Sequence, residues 1–89
     1  GLYNQTAFAR VILPSTLKEL RTAAFKNCTS LEKVNIPNSV TEICSSAFQY
    51  CSSLSSLIIP SSVTKIMWSS FEGVNCEIIF DKQKIKRDA

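Results

Sequence analysis

The apolar positions of this chain recur with a period of 23 residues, and that period predicts its structure before any local motif does. Leu17, Val40 and Val63 hold one register, Leu20, Ile43 and Ile66 a second, and Phe25, Phe48 and Phe71 a third. Val11, Val34 and Leu57 repeat likewise, as do Leu13, Ile36 and Ile59, and Phe8, Leu31 and Leu54. Polar and small positions follow suit: Thr16, Ser39 and Ser62 align, and Ser70 continues the Ala24 and Ala47 register. The prolines are Pro14, Pro37 and Pro60, and each obeys the period.

The middle copy, Leu31 to Ser53, shows what one unit should do. Its Leu31-x-x-Val34-x-Ile36 stretch ends in a period-two alternation, suited to a short strand with Val34 and Ile36 inward. Pro37 lacks an N–H for a ladder, so it ends that strand and turns the chain. Val40 to Ile43, rich in β-branched residues, predicts a second extended segment. Ala47, Phe48 and Cys51 then carry the spacing of a single helical or 3₁₀ turn whose phenylalanine fills the interior. A single unit has too few apolar residues to close a core. Stacked units bury them as continuous ladders, which makes the chain a solenoid.

The unit L-x-x-V-x-I-P-x-S-V-T-x-I-x-x-x-A-F-x-x-C resembles the BspA-like, or treponemal-type, leucine-rich repeat. Leu31, Val34, Ile36, Pro37, Ser39, Val40, Thr41, Ile43, Ala47, Phe48 and Cys51 stand on that family's positions. The expected fold is thus a β-rich leucine-rich-repeat solenoid of short parallel strands joined by short helical or 3₁₀ turns. It would span residues 1–80, with units at about 8–30, 31–53 and 54–76 and a partial unit at 1–7. Residues 77–89 would form an irregular closing strand and a basic tail. The resemblance also implies a curved sheet on a surface-exposed or secreted protein, with adhesion and host-protein binding as functions and no catalytic motif.

The pattern departs from the family in three places. Arg21, Cys44 and Met67 occupy the position, directly after the second-segment aliphatic, where the family usually has glycine. If that site needs a positive φ, each non-glycine residue costs about 1 kcal/mol. In the last copy Val74 replaces the ladder cysteine and Glu77 falls where Leu54 predicts an apolar residue, so register is expected to fail after Phe71. At the front, Leu2, Asn4 and Thr6 align with Phe25, Asn27 and Thr29, so the chain starts within a repeat. An uncapped rung at Leu2 predicts self-association through the solenoid ends.

Composition narrows the chemistry. The chain has no histidine, which removes the commonest general base and metal ligand. Only Gly1 and Gly73 are glycines, so neither a phosphate-cradling loop nor a G-x-S-x-G turn is present. The four cysteines form no C-x-x-C, and no metal or cofactor is expected. Cys28 and Cys51, on adjacent rungs about 4.8 Å apart, are expected to form a buried ladder rather than a disulfide. Glu19, Glu42 and Lys65 share a register and predict a charged outer ladder, not a catalytic carboxylate pair. Net charge is +3, and the Lys82, Lys84, Lys86 and Arg87 cluster is a solvated tail rather than a nucleic-acid face. No apolar run approaches the ~18–20 residues of a membrane span. Asn4 and Asn27 begin N-x-T sequons in one repeat register, which duplication alone explains.

A binding face remains. With Val34 and Ile36 inward, Lys33 and Asn35 point outward, and by register so do Arg10, Ile12, Ser56, Ile58, Ile79 and Asp81. Aliphatics rimmed by polar groups suit a protein ligand, such as a host extracellular protein. Trp68 and Tyr50 stand in otherwise polar registers. Trp68 is a candidate anchor, although packing beneath the terminal rung is the simpler expectation. The functional expectation is a non-enzymatic binding module acting in surface adhesion or host-ligand recognition. The alternative is a structural or scaffolding repeat segment with no dedicated ligand, which could lie inside a cell.

Overall fold

The computed structural model describes residues 9–81. The Leu2 end, the Asn4 sequon and the Lys82–Arg87 cluster lie outside the described residues. Among the described residues the strands are β1 (Arg10–Ile12), β2 (Glu19–Leu20), β3 (Lys33–Asn35), β4 (Glu42–Ile43), β5 (Leu57–Ile59), β6 (Lys65–Ile66) and β7 (Ile78–Phe80). Every pairing is parallel, as stacked copies of one unit require.

Two strand faces result. On the first, β1 pairs with β3 and β5 with β7; on the second, β2, β4 and β6 form one sheet. Arg10 lies opposite Lys33, and Glu19 opposite Glu42 opposite Lys65, so partners stand 23 positions apart. β3 and β5 are neighbours without a paired ladder. The Ser55 N–H and hydroxyl both donate to the Glu32 carbonyl, at 3.1 and 3.2 Å, and join these rungs instead. Hydroxyls reinforce the second face too: Thr41 donates to the Lys18 carbonyl and Thr64 to that of Thr41, both at 3.3 Å. These serine and threonine hydroxyls therefore bond between rungs.

The core runs between the faces as the predicted ladders. Leu20 and Ile43, Phe25 and Phe48, Leu31 and Leu54, and Ile36 and Ile59 are buried. Phe25 and Phe48 stack with centroids 5.3 Å apart, and Phe48 and Phe71 at 6.2 Å. Offset stacking at these distances adds to area burial. Cys28 and Cys51 are buried thiols, not a disulfide.

The phenylalanine-bearing side differs in detail from expectation. Its i→i+3 bonds are present, such as Ala47 N–H to Cys44 O at 3.2 Å and Cys51 N–H to Phe48 O at 3.1 Å. No helix forms, because two residues in each such turn are left-handed: Ala23 and Asn27, Ser46 and Tyr50, Ser69 and Gly73. Positive φ therefore falls at two other registers, and Arg21, Cys44 and Met67 need no glycine. Breaking the helix frees backbone groups to bond between rungs: Phe25 N–H reaches Ala47 O at 2.7 Å, and Tyr50 N–H reaches Glu72 O at 2.7 Å. At Gly73, with φ +77°, a Cβ would lie 2.5 Å from Tyr50 Cδ1, so close contact adds to the backbone strain that its register mates Asn27 and Tyr50 already bear.

The end of the repeat is more regular than the sequence suggests. Val74 N–H still donates to Phe71 O at 3.0 Å, matching Cys51 to Phe48, so the register survives past Phe71. β7 is an ordinary parallel strand against β5, with Leu57 opposite Ile78 and Ile59 opposite Phe80, an offset of 21. The last unit is two residues shorter between Val74 and Ile78. The half-buried Cys76, not Glu77, packs against the core there.

Candidate functional site

Alternation along β1, β3 and β5 turns one residue inward and the next outward, and this builds the candidate face. Arg10, Ile12, Lys33, Asn35, Ser56 and Ile58 line one shallow depression of about 390 Å³, with Val11 and Val34 as its floor. The six outward residues belong to the predicted set. The floor valines are a feature that counting inward positions missed, because half-buried residues both face the core and surface between the rows.

The face has two rows. One carries Arg10, Lys33 and Ser56; Glu77 lies beyond Ser56, its carbonyl accepting the Leu57 N–H at 3.2 Å. The other carries Ile12, Asn35, Ile58 and Ile79, with Ile12 91% and Ile58 51% exposed. Ile12 has almost no protein around it. Among the described residues neither Arg10 nor Lys33 has a carboxylate within 4 Å, and Asn35 and Ser56 make no side-chain hydrogen bond. Asp81 continues the outward alternation of β7 at the edge.

Trp68 does not join this face. It follows β6 on the other sheet and stands 81% exposed, so it does not pack beneath the terminal rung. Its register mate Thr22 is exposed and Ser45 is half-buried, and a tryptophan there meets water instead of a cap. Tyr50 is 44% exposed, with its ring over Gly73.

The charged ladder of the second face stacks as predicted, Glu19 on Glu42 on Lys65. Its ion pair differs, however. Arg21 Nε lies 3.6 Å from Glu19 Oε1, whereas no Glu42–Lys65 pair comes within 4 Å among the described residues. The Arg21–Glu19 pair is exposed and contributes little.

The thiols are poorly disposed to nucleophilic work. Burial, then the neighbouring Cys28, pushes the Cys51 thiol up to about 12, and it donates to the Phe25 carbonyl at 3.0 Å. Burial and then the Glu42 and Glu19 charges raise Cys44, and burial also raises Cys76. Neutral thiols are weak nucleophiles and weak ligands. Among the described residues no three His, Cys, Asp or Glu side chains gather as a metal site, and no helix is long and apolar enough to cross a membrane. What the face can do is hold another chain through dispersion, ionic contact and hydrogen bonding.

Short parallel strands stacked rung on rung, with aliphatic ladders and a phenylalanine spine inside, define a leucine-rich-repeat solenoid. Residues 2–87 match the BspA type leucine rich repeat region (6 copies), and the chain belongs to that family. A leucine-rich cell surface protein from Faecalibacterium prausnitzii has a similar structure: TM-score 0.71, 36% identity, 81% of this chain covered. The T. pallidum leucine-rich repeat protein shares the fold at TM-score 0.56 and 24% identity over 78% of this chain. This chain spans 20% of the first protein's length and 44% of the second's. No curated protein matches it.

Proposed function

We propose that the chain is a non-enzymatic protein-binding module, acting in surface adhesion or host-ligand recognition through the β1–β3–β5 face. The observation that carries this reading is the depression between two outward rows, one with cations that have no ion-pair partner among the described residues and the other with exposed isoleucines. Apolar centres with polar rims are where protein contacts concentrate their energy. The absence of histidine weighs against an enzyme. A location at the cell surface is supported by the Faecalibacterium relative, which is itself a leucine-rich cell surface protein.

The test is a Lys33→Glu/Ile58→Asp double variant that keeps its circular dichroism spectrum and melting temperature. Such a variant should lose binding to cell surfaces or extracellular matrix proteins that the parent chain binds. Undiminished binding by the folded variant would favour a scaffolding role with no dedicated ligand.

A further inference from the structure

We propose that the β1–β3–β5 depression takes an extended peptide segment in which acidic and aliphatic residues alternate. This rests on the docking-face reading above and specifies its ligand. The two rows are two residues apart along each strand, about 6.6 Å, with Val11 and Val34 between them. A chain laid across the strands over those valines sends successive side chains to opposite sides. One side meets Arg10 and Lys33, directly opposite each other on adjacent rungs and without a carboxylate partner among the described residues. The other side meets Ile12 and Ile58, two rungs or about 10 Å apart, within side-chain reach of ligand aliphatics two residues or about 6.6 Å apart.

Charge complementarity selects the first set of side chains and apolar burial the second. Asn35 and Ser56, which have no side-chain hydrogen bond among the described residues, are placed to bond the ligand's main chain. Glu77 at the far end of the charged row repels a second acid there, so the ligand's acids belong at the β1 and β3 end. Two cations are too few for a phosphate backbone, whose binding grows with the number of charges neutralised.

The probes are three fluorescein-labelled octapeptides, alternating glutamate with valine, lysine with valine, and glutamate with serine. Binding to the full chain is read by fluorescence polarisation at 150 mM salt. The glutamate–valine peptide should bind at least tenfold more tightly than either of the others. An R10E/K33E variant with an unchanged melting curve should reverse the order of the two valine peptides. K65E, the same charge change on the other sheet, should leave it alone.

Equal affinity for all three peptides, or a preference untouched by R10E/K33E, overturns the proposal. So does tighter binding of a single-stranded RNA octamer than of the glutamate–valine peptide. If the three peptides bind equally yet all lose affinity in Ile58→Asp, the docking face stands and both its acidic and its aliphatic specificity fall. If none binds and the Lys33→Glu/Ile58→Asp variant still adheres, both fall.

Discussion

Removing one ring from the phenylalanine spine tests whether neighbouring rungs hold each other together. Phe48 is fully buried and stacks on both Phe25 and Phe71, whereas Phe71 is half-buried and stacks on Phe48. A buried Phe→Ala change costs about 3–5 kcal/mol. Phe48→Ala belongs near the top of that range because two ring contacts go with it, each worth roughly 0.5–1.5 kcal/mol. Phe71→Ala loses one of those contacts and less buried area, about 2 kcal/mol in all. An 89-residue chain has a total stability of roughly 4–13 kcal/mol. Phe48→Ala should therefore lower the melting temperature by ~15–30 °C, and Phe71→Ala by about half as much. Urea titrations followed by circular dichroism give the same ordering as a shift in midpoint. If Phe48→Ala does not fold, the milder Phe48→Leu and Phe71→Leu pair should keep the order. A cost at Phe71 equal to or above that at Phe48 would refute the stacked-rung account.

Ala23→Gly should be neutral or stabilising by up to about 1 kcal/mol, since Ala23 sits at φ 59°, while Arg21→Gly should destabilise; thermal melts decide between the two registers. Gly73→Ala should cost at least about 1–2 kcal/mol from its φ of +77° and its clash with Tyr50, and a wild-type melt would contradict this. Because the folded Cys51 thiol is raised to about 12 from 9.0, its contribution to stability is complete below about pH 9 and is lost as pH climbs towards 12. A Cys51→Val variant, mimicking Val74, should lose less stability over that window. Phe80 is 59% exposed where its partner Ile59 is 2%, so the isolated chain should self-associate as concentration rises. A concentration-independent monomer in light scattering would count against that.

The ladders were legible because stacking places one residue type above itself, so Phe25, Phe48 and Phe71 announce a spine without any knowledge of the turns. The outward rows were legible for a related reason: strand alternation converts an inward Val34 into an outward Lys33 and Asn35. The left-handed turn residues were hidden, since Ala23, Ser46, Ser69 and Tyr50 carry no signal for positive φ. At Ala23 and Tyr50 it goes with a backbone N–H donated to the next rung, to Ser45 O and Glu72 O. β7 was misjudged because counting forward from Phe71 sets Glu77 against Leu54. Counting back from Ile78-Ile79-Phe80 against Leu57-Ile58-Ile59 would have exposed the two-residue deletion. Trp68 misled because size and apolarity suggested burial, while its register mates Thr22 and Ser45 already marked a polar position.

The proposed binding face is tested most directly by amide chemical-shift mapping. ¹⁵N-labelled chain would be titrated with the glutamate–valine octapeptide. The account predicts the largest shifts at Arg10, Ile12, Lys33, Asn35, Ser56 and Ile58, with Glu19, Glu42, Lys65 and Trp68 unmoved. Shifts centred on Trp68 and the β2–β4–β6 sheet would contradict it.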